Sequence, residues 1–400
     1  MMEHFLLVRY GEIGLKGRNR PFFLDALTRN LAAQAGRPME IRYHFGRVLI
    51  HLEGTAEDRQ IIERVRRTFG VVSVSPAVRV APRLDAITDA ATTLLAGTLE
   101  RHRATSFKVD TRRADKRFPL SSVEVNTAVG RHLQDRFGLR VDLDAPDVTV
   151  SAEIRDRAYL YTEILPGPGG LPVGSGGRVV ALLSGGIDSP VATWMAARRG
   201  LVVIPVHCYA FPFVNERSKV KVVDICRVLA GYAGPLRLWV AYFTDIQRAV
   251  QMTVEADLRV TVIRRMMMRL AERIAQREDA LGLVTGESAG QVASQTLASI
   301  AAIDAATALP VLRPVIGMDK TEITARAREI GTYEISILPY EDCCSLFVPA
   351  HPRTHPTLAE VDAQERNLPI EGLLAEAVQR SEILEISPRQ MPEMLLRSAP

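Results

Sequence analysis

A glycine-rich turn between a short apolar run and a capped helix constrains this chain more than any other feature. Residues 178–183 (RVVALL) have the composition of a buried parallel strand, and Ser184-Gly185-Gly186 follows directly. Residues 190–199 (PVATWMAARR) predict a helix, with a proline in its first turn and Gly200 just past its end. A strand, a tight glycine turn and a helix N-terminus together favour an anion site, because free N–H groups and the helix dipole attract negative charge.

Two serines and an aspartate add chemistry to this turn. The hydroxyls of Ser184 and Ser189 are further donors, and Asp188 is suited to hold a magnesium ion that shields phosphate charge. No lysine follows the glycines at the spacing of a Walker loop, so the motif is a different one. The pattern Ser-Gly-Gly-x-Asp-Ser resembles the pyrophosphate loop (PP-loop) of enzymes that split ATP between its α and β phosphates and adenylate a carbonyl oxygen. The alternative is an ordinary glycine-containing turn between strand and helix.

Composition is that of a globular protein with two or three domains. The chain has 400 residues, 47% hydrophobic and 24% charged, and a formal net charge of only +4, so affinity for nucleic acid has to come from local patches. Its apolar runs are too short to span a bilayer, and its N-terminus lacks a secretory leader. Four cysteines are too few for a disulfide framework. We therefore expect a cytoplasmic protein with no membrane partner.

The first 80 residues predict a small α+β domain. Strands and helices alternate in the order β-α-β-β-α-β, which is that of a ferredoxin-like unit. The loop at residues 9–20 combines four basic residues with three glycines, which suits contact with phosphates. Lys16 and Arg18 are the candidates for that contact, and a solvated turn is the alternative.

Residues 81–166 predict a second α+β domain that contains a strongly basic segment. Residues 101–117 hold seven basic and two acidic side chains, which leaves five net positive charges, with Phe107 and Phe118 interleaved. Sequence-independent binding to an RNA backbone needs such a cluster, although a basic run can also be only a solvated face. The candidates for RNA contact in this segment are Arg112, Arg113, Lys116 and Arg117.

A run rich in proline and glycine, residues 167–177, predicts a linker between domains, because its composition disfavours both helix and central strand. From residue 178 onward, strands and helices alternate. This alternation predicts a doubly wound parallel sheet with its ligand at the C-terminal ends of the strands. We expect a mostly helical tail from about residue 357.

Several polar segments follow predicted strand ends in this α/β domain. His207 and Cys208 end one strand, and residues 285–288 (TGES) and 291–296 (QVASQT) follow another. Such loops let a nucleotide approach the backbone, and the alternative is an ordinary connection between strand and helix. In the helical segment 264–269 (RRMMMR), we expect the methionines in the core and one arginine near phosphate.

Two segments near the C-terminal end carry further candidates. Asp319 is predicted to cap a helix, and Lys320 beside it is a candidate to face the reaction centre. Residues 340–345 (YEDCCS) follow a proline in a predicted loop. Adjacent cysteines without a Cys-x-x-Cys or histidine spacing argue against zinc or an iron–sulfur cluster. Polar neighbours favour a reactive thiolate over a buried structural thiol.

Together these motifs resemble those of the bacterial tRNA 4-thiouridine synthetases, sulfurtransferases that thiolate the uridine at position 8 of tRNA. The resemblance covers nearly the whole chain and is carried by residues 9–13 (RYGEI), 184–189 (SGGIDS), 264–267 (RRMM), 285–288, 291–296, 319–320 (DK) and 340–344 (YEDCC). It implies a ferredoxin-like domain at 1–80, a THUMP RNA-binding domain at 81–166, a linker at 167–177, and a PP-loop adenylating domain with a helical tail at 178–400.

The resemblance also implies the ATP site and the reaction. The residues implied in ATP binding are Leu182, Leu183, Ser184, Gly185, Gly186, Asp188, Ser189, His207, Cys208, Arg264, Gly286 and Gln295. The uridine C4 oxygen would attack the α-phosphate, and a persulfide sulfur would then displace AMP. Lys320 would stabilise charge that develops on phosphate, and Mg²⁺ would accompany ATP with Asp188 as its candidate ligand. The partner would be tRNA, which the N-terminal domains would recognise chiefly by its shape and its phosphates.

The family's catalytic cysteine aligns with Cys343, which follows the acidic pair, although Cys344 leaves a choice between neighbours. The chain ends 56 residues after Cys344, too soon for the rhodanese-like domain of some relatives, and no cysteine lies beyond it. We therefore expect an external donor, such as a cysteine desulfurase, to charge Cys343, with Cys208 or Cys344 resolving the disulfide. A role in sulfur transfer for thiamine thiazole synthesis depends on the rhodanese-like domain in some relatives. A homodimer is expected because the family often shows one.

Two other interpretations stay open on sequence alone. The first is a PP-loop ATP pyrophosphatase or ligase that adenylates a small-molecule carbonyl. The N-terminal basic block argues against it, since a small substrate needs no such platform. The second is a noncatalytic RNA-binding protein with a retained ATP fold. The intact turn at 184–189 and Cys343 argue against that one. ATP–pyrophosphate exchange that depends on added tRNA would separate all three.

Overall fold

The point where the chain divides falls inside the run rich in proline and glycine. Met1–Gly170 form one unit and Leu171–Pro400 a second. The computed structural model describes residues 2–44, 46–340, 349 and 352–388. Within those ranges, no helix is both long and apolar enough to cross a membrane.

The first part of unit one has the expected order β-α-β-β-α-β. Its elements are β1 (Glu3–Tyr10), α1 (Arg20–Ala35), β2 (Ile41–His44), β3 (Arg47–Leu52), α2 (Asp58–Arg66) and β4 (Val71–Val80). The strands lie antiparallel in the order β2-β3-β1-β4. The core between the sheet and the two helices contains Leu6, Leu27 and Ile61. Helix α1 has a proline in its first turn and ends at Gly36, whose φ of 78° needs a residue without Cβ.

The second part of unit one continues the same sheet. Its elements are α3 (Leu84–Arg101), β5 (Ser106–Arg113), α4 (Ser122–Phe137), β6 (Arg140–Val141), β7 (Val148–Ile154), β8 (Ala158–Tyr161) and β9 (Leu165–Pro166). Strand β4 pairs antiparallel with β8, so one nine-stranded sheet has the order β2-β3-β1-β4-β8-β7-β5-β6, with β9 also on β4. The sequence predicts neighbouring α+β domains but not a sheet common to both. The largely apolar segment 158–165 predicts a single strand, whereas the structure has two, β8 and β9.

The second unit is an α/β domain built around β10. Its elements are β10 (Arg178–Leu182), α5 (Asp188–Arg198), β11 (Val202–Tyr209), α6 (Glu216–Ala233), β12 (Leu236–Tyr242), α7 (Thr244–Thr253), α8 (Arg259–Arg277), β13 (Leu283–Val284), α9 (Leu297–Asp304), β14 (Val311–Leu312), α10 (Lys320–Ile330), α11 (Tyr333–Ser336), α12 (Leu358–Glu365), α13 (Ile370–Gln379) and β15 (Glu382–Ile386). The strand order is β14-β13-β10-β11-β12-β15, and the first five strands are parallel. Successive strands are added first on one side of β10 and then on the other. The crevice at the C-terminal end of β10 is therefore the switch point at which such sheets bind ligands.

The C-terminal tail contains the expected helices, α12 and α13, and also a strand that the sequence does not predict. Strand β15 pairs antiparallel with β12, so it covers this edge of the otherwise parallel sheet. Its five residues (EILEI) are too few for hydrophobic periodicity to separate strand from helix. The pairing with β12 decides the conformation, and that partner lies far away in the sequence.

Candidate nucleotide site

The turn at residues 184–189 is closed by its own two serines. Ser184 N donates to Ser189 Oγ at 2.9 Å, and the two hydroxyl oxygens lie 3.1 Å apart. Gly186 N donates to Ser184 Oγ at 3.2 Å. Helix α5 begins at Asp188, two residues before the predicted start. The backbone thus turns tightly where β10 ends and α5 begins, which is the arrangement that binds phosphate in other proteins.

Gly286 brings the end of β13 against the start of α5. A Cβ at this position would lie 2.6 Å from both N and Cα of Ser189, and 2.9 Å from the carbonyl carbon of Asp188. All of these are backbone atoms, so no flexible side chain can move aside. Only glycine allows these two segments to approach so closely.

Two side chains from distant parts of the chain hold the Asp188 carboxylate. Lys320 Nζ donates to Oδ1 at 2.6 Å, and Gln291 Nε2 donates to Oδ2 at 2.9 Å. Lys320 was a predicted site residue. Gln291 was not, although it begins one of the polar segments noted above, and its contact with a residue 103 positions away could not be seen in the sequence.

A capping box places Lys320 at the start of α10. Asp319 Oδ1 accepts a hydrogen bond from Glu322 N, and Asp319 N donates to Glu322 Oε2, both at 2.9 Å. Hydrogen bonds from the Thr321 hydroxyl and the Glu322 N–H hold the pKa of Asp319 below its ordinary value. Asp319 caps the helix as the sequence predicts.

Glu287 organises the basic side of the pocket and was missed as a site residue. It is 3% exposed, and its Oε1 accepts from Arg264 Nη1 at 3.0 Å. Its Oε2 accepts from Arg313 Nε at 2.8 Å and from Thr285 Oγ1 at 2.9 Å. Arg264 Nε has no hydrogen-bond partner among the described residues. Glu287 lies in the quoted TGES segment, but its role depends on arginines 23 positions before it and 26 after it.

These groups surround one pocket at the C-terminal end of β10. The predicted ATP-binding residues that line it are Leu182, Leu183, Ser184, Gly186, Asp188, Ser189, His207, Cys208, Arg264, Gly286 and Gln295. Of the predicted set, Gly185 does not line it. Lining residues that were not predicted are Val206, Met267, Met268, Thr285, Glu287 and Ile303. The methionines are buried as predicted, but two of them also form part of the apolar wall.

Three of the predicted residues lie buried in the wall of the pocket. His207 Nδ1 lies 3.2 Å from the Leu183 carbonyl oxygen, and Cys208 beside it is 6% exposed. Gln295 is also 6% exposed, and its Oε1 has no hydrogen-bond partner among the described residues. A buried amide oxygen without a partner is costly in a folded protein. Because Gln295 lines the pocket, its amide is a candidate for a hydrogen bond with a ligand.

The predicted RNA-contacting residues lie in unit one, on two loops. Lys16 and Arg18 belong to short turns after β1, and Lys16 Nζ lies 4.9 Å from the centroid of the Phe23 ring. Lys116 and Arg117 follow β5 and are exposed, as is Arg112 at the end of that strand.

Within the second loop the basic residues are not equally available. Arg117 pairs with Asp115 at 2.8 Å and holds the pKa of that carboxyl at about 2. Arg113 Nη1 donates to the carbonyl oxygens of Phe118 and Leu120, each at 2.9 Å. Arg113 therefore supports the loop, whereas the side chains of Arg112 and Lys116 are exposed to solvent.

The two loops leave opposite ends of the strands. The end of β1 pairs with the start of β4 (Tyr10 with Val71), whereas the end of β4 pairs with the start of β8. The start of β8 pairs with the end of β7, which lies beside the end of β5. The loop that follows β1 is therefore at one end of the sheet's strands, and the loop that follows β5 is at the other.

The predicted catalytic cysteines, Cys343 and Cys344, lie outside the described residues. Side chains of α6 form hydrogen bonds with the chain just before them. Lys221, which is 4% exposed, donates from Nζ to the carbonyl oxygens of Leu338 at 2.9 Å and Tyr340 at 3.5 Å. Arg217 Nη1 donates to the Tyr340 hydroxyl at 3.2 Å.

Fold and site together define a class of protein. A parallel sheet with a closed Ser-Gly-Gly-x-Asp-Ser turn at its switch point is the nucleotide-binding domain of a PP-loop protein, here preceded by an α+β unit. Family models match the same regions. The ThiI ferredoxin-like domain matches residues 5–75, the THUMP domain residues 81–163, and the thiamine biosynthesis protein (ThiI) model residues 174–370.

Curated relatives and a solved structure narrow the class to one family. The probable tRNA sulfurtransferase of Moorella thermoacetica is 52% identical over 387 residues, which cover 96% of this chain and 98% of the relative. That of Natranaerobius thermophilus is 44% identical over 403 residues, 97% of each chain. The crystal structure of a 4-thiouridine synthetase–RNA complex with bound ATP matches with a TM-score of 0.89 and 38% identity, covering 96% of this chain and 100% of that one. The chain belongs to the tRNA sulfurtransferase family, so the family, fold class and enzyme class predicted from the sequence are confirmed.

Proposed function

We propose that this protein uses ATP to place sulfur on C4 of the uridine at position 8 of tRNA, forming 4-thiouridine. The observation that carries the proposal is the closed turn at the sheet's switch point, with Lys320 and Asp188 in contact beside it. Membership of the tRNA sulfurtransferase family supports RNA as the substrate, and the bound ATP of the related 4-thiouridine synthetase structure supports the nucleotide.

The pocket has the two kinds of surface that ATP needs. Backbone N–H groups and the α5 dipole at the turn attract the phosphates, while Met267, Met268 and Ile303 offer an apolar wall to the nucleoside. The buried Oε1 of Gln295 would accept a hydrogen bond from the ligand. A nucleotide that contacts both surfaces would have its α-phosphate between them.

In the first chemical step, the uridine C4 oxygen attacks the α-phosphorus and pyrophosphate leaves. Negative charge builds up on the phosphate oxygens. Arg264, which lines the pocket, and Lys320, which contacts Asp188 there, would stabilise that charge. Lys320 would exchange its contact with Asp188 for the phosphates. AMP attached at C4 is then a good leaving group, whereas the original carbonyl oxygen is not.

The residues present fit a magnesium ion only when it binds together with ATP. The described residues contain no cluster of three or more acidic, histidine or cysteine side chains, and Asp188 offers a single carboxylate. One carboxylate together with substrate phosphates is a common way for proteins to hold this ion. When bound, it would shield phosphate charge, with Asp188 as the residue that holds it.

In the second step, the terminal sulfur of a persulfide on Cys343 attacks C4, and AMP leaves as the C–O bond breaks. A second thiol then attacks Cys343 Sγ, which breaks the S–S bond, forms a disulfide and leaves sulfur on the base. Cys208 lines the pocket and Cys344 is adjacent in sequence, so both remain candidates for that thiol. A dithiol reductant would restore the free cysteines.

The remaining parts of the proposal concern the setting of the reaction. A cysteine desulfurase or another persulfide donor would charge Cys343. A homodimer, a cytoplasmic location and a role in sulfur transfer for thiamine synthesis complete the proposal.

The first experiment measures sulfur incorporation into unmodified tRNA with ATP, Mg²⁺ and a sulfide or persulfide source. The near-ultraviolet absorbance of 4-thiouridine reports the product. We expect product with the wild type and about a hundredfold less with Asp188→Ala, because this substitution removes the carboxylate that would hold Mg²⁺ against the phosphates. Glu371→Ala, at a carboxylate 79% exposed, is the matched control and should retain activity. Absence of product with the wild type, despite bound tRNA and ample sulfide, would overturn the proposal.

A further inference from the structure

Three aromatic rings form a row from the nucleotide pocket to the protein surface at the C-terminal end of β11. His207 lines the pocket, and its ring centroid lies 6.1 Å from that of Tyr209. The Phe211 ring follows at 6.3 Å from Tyr209, with only 24° between the two ring planes. Neither Tyr209 nor Phe211 belongs to a motif described above, and the steps of the proposed reaction do not use them.

The outer ring of this row is exposed although its backbone is held in place. The Phe211 residue is 51% exposed, and no other phenylalanine, tyrosine or tryptophan described in the second unit is as exposed. Its carbonyl oxygen accepts a hydrogen bond from Thr244 Oγ1 at 2.7 Å, and the Tyr209 carbonyl oxygen accepts one from Phe243 N at 2.9 Å. A single exposed apolar side chain needs no explanation by itself. An exposed ring at the outer end of a row of rings that starts in a ligand pocket needs one.

We propose that Tyr209 and Phe211 form a stacking platform for the target base. This inference rests on the proposed function. The uridine C4 oxygen has to reach the α-phosphate of ATP, so the base has to leave its stack in the RNA. An extruded base loses stacking energy, and an aromatic side chain beside the reaction site replaces it.

The shape of the row favours a nucleobase over a protein partner. One exposed ring is a small target, whereas a protein interface needs a far larger continuous surface. The Tyr209 and Phe211 rings already have the near-parallel geometry that a further planar ring can extend. The row is also continuous with the pocket, which is where the base has to arrive.

The test compares two substitutions at the same position. Phe211→Leu removes the ring but keeps an apolar side chain, and Phe211→Trp keeps a ring. Single-turnover formation of 4-thiouridine is measured at saturating tRNA and ATP. We expect about a 5- to 100-fold slower rate for Phe211→Leu, the range that loss of one base–aromatic stack produces, and a rate within about threefold of wild type for Phe211→Trp.

Binding measurements separate stacking from a general loss of structure. The Kd values for ATP and for tRNA should change by less than about threefold in both variants, because phosphate contacts dominate RNA affinity. Met252→Leu, at an apolar side chain 79% exposed, is the control and should behave as wild type. A fluorescent pyrimidine at position 8 of the tRNA should be quenched on binding to wild type and Phe211→Trp, but not to Phe211→Leu.

Each other outcome has a defined meaning. A wild-type rate with Phe211→Leu would overturn the platform. So would an equal loss in Phe211→Leu and Phe211→Trp, which would indicate a packing role. A change confined to the KM for the sulfur donor would overturn it in favour of a docking site for that protein. If the wild type itself makes no 4-thiouridine, the proposed function fails, whereas in the other cases it stands.

Discussion

The shape of the pocket depends on the absence of a Cβ atom at Gly286. The end of β13 and the start of α5 meet there with no room for a methyl group. Gly286→Ala has to displace one of these backbones, so we expect at least about a tenfold loss of ATP affinity by calorimetric titration. We also expect a decrease of about 1–3 kcal/mol in the free energy of unfolding, which is typical of overpacking.

The control for this variant is another glycine in the same unit. A Cβ on Gly372, in α13, would have no neighbour within 4 Å. Gly372→Ala should therefore keep the ATP affinity of the wild type and raise the free energy of unfolding by up to about 1 kcal/mol. Wild-type ATP affinity in Gly286→Ala would contradict the close-packing argument.

At this scale the sequence predicts local geometry where the residues involved are contiguous. The turn at 184–189 carries its strand, glycines, serines and helix start within about a dozen positions, so its local pattern is sufficient. Glu287 and Gln291 were not predicted as site residues, because their partners lie far away in the sequence. Arg264 and Arg313 are 23 and 26 positions from Glu287, and Asp188 is 103 positions from Gln291. Single-chain periodicity contains no information on such contacts.

At the scale of elements, α8 forms part of the pocket wall, and a buried ion cluster joins α12 to it. Glu365 accepts four hydrogen bonds of 2.7–2.8 Å from the guanidinium groups of Arg265 and Arg269. Burial raises the pKa of Glu365, but the two arginines lower it more, so the carboxyl titrates below its ordinary range. The stabilisation is therefore complete above the ordinary glutamate pKa of about 4.3 and is lost as the pH falls through the lower value in the folded protein.

Glu365→Gln should lower the free energy of unfolding at pH 7 by about 3 kcal/mol, because it removes the buried carboxylate that Arg265 and Arg269 share and leaves only the more exposed Asp362 beside Arg265. The difference between variant and wild type should shrink as the pH falls below about 4, because the carboxyl of the unfolded wild type then binds a proton that the folded carboxyl still lacks. Denaturant unfolding at several pH values measures both quantities. Glu371→Gln, whose ion pair with Arg273 is exposed, should show neither effect. A difference that stays constant down to about pH 3 would contradict the assigned role of the cluster.

Element boundaries show where sequence patterns stop being informative. The sequence predicts a helix over residues 216–233 and a strand over 236–242. These are the bounds of α6 and β12, because long amphipathic or apolar segments carry their own signal. The sequence predicts strands over residues 281–285 and 309–314, whereas β13 and β14 have two residues each, and β15 is not predicted at all. In all three, pairing with a neighbouring strand decides the conformation, and that neighbour is remote in sequence.

At the scale of the molecule, the two basic loops of unit one are well separated. Between β1 and β5 lie four inter-strand spacings of about 4.8 Å, and the loops leave opposite ends of those strands. If both loops contact tRNA phosphates, Lys16→Ala with Arg18→Ala and Arg112→Ala with Lys116→Ala should each weaken binding. Sites this far apart act independently, so the free-energy losses should add within about 0.5 kcal/mol when all four are combined.

Binding of tRNA at several salt concentrations measures this prediction. Each double variant should reduce the slope of log K against log salt by about one to two, because each substitution leaves one phosphate without its counter-charge from the protein. Arg131→Ala with Arg136→Ala, at exposed positions of α4 outside the predicted set, is the matched control. If neither pair of substitutions changes the slope more than that control does, the predicted RNA contacts are wrong.

Strand β4 has a consequence for how this protein can be divided. Its residues 71–79 pair with β1, residues 73–74 with β9 and residues 78–80 with β8, so both parts of unit one use it. A fragment that stops at residue 80 leaves the far side of β4 uncovered, and a fragment that starts at 81 leaves β8 with an open edge, both of which invite aggregation. A cut after Gly170 instead keeps β4 paired on both sides. A THUMP domain transplanted from this protein into another enzyme would therefore have to include β4, or β8 would have to pair with a strand of the new host.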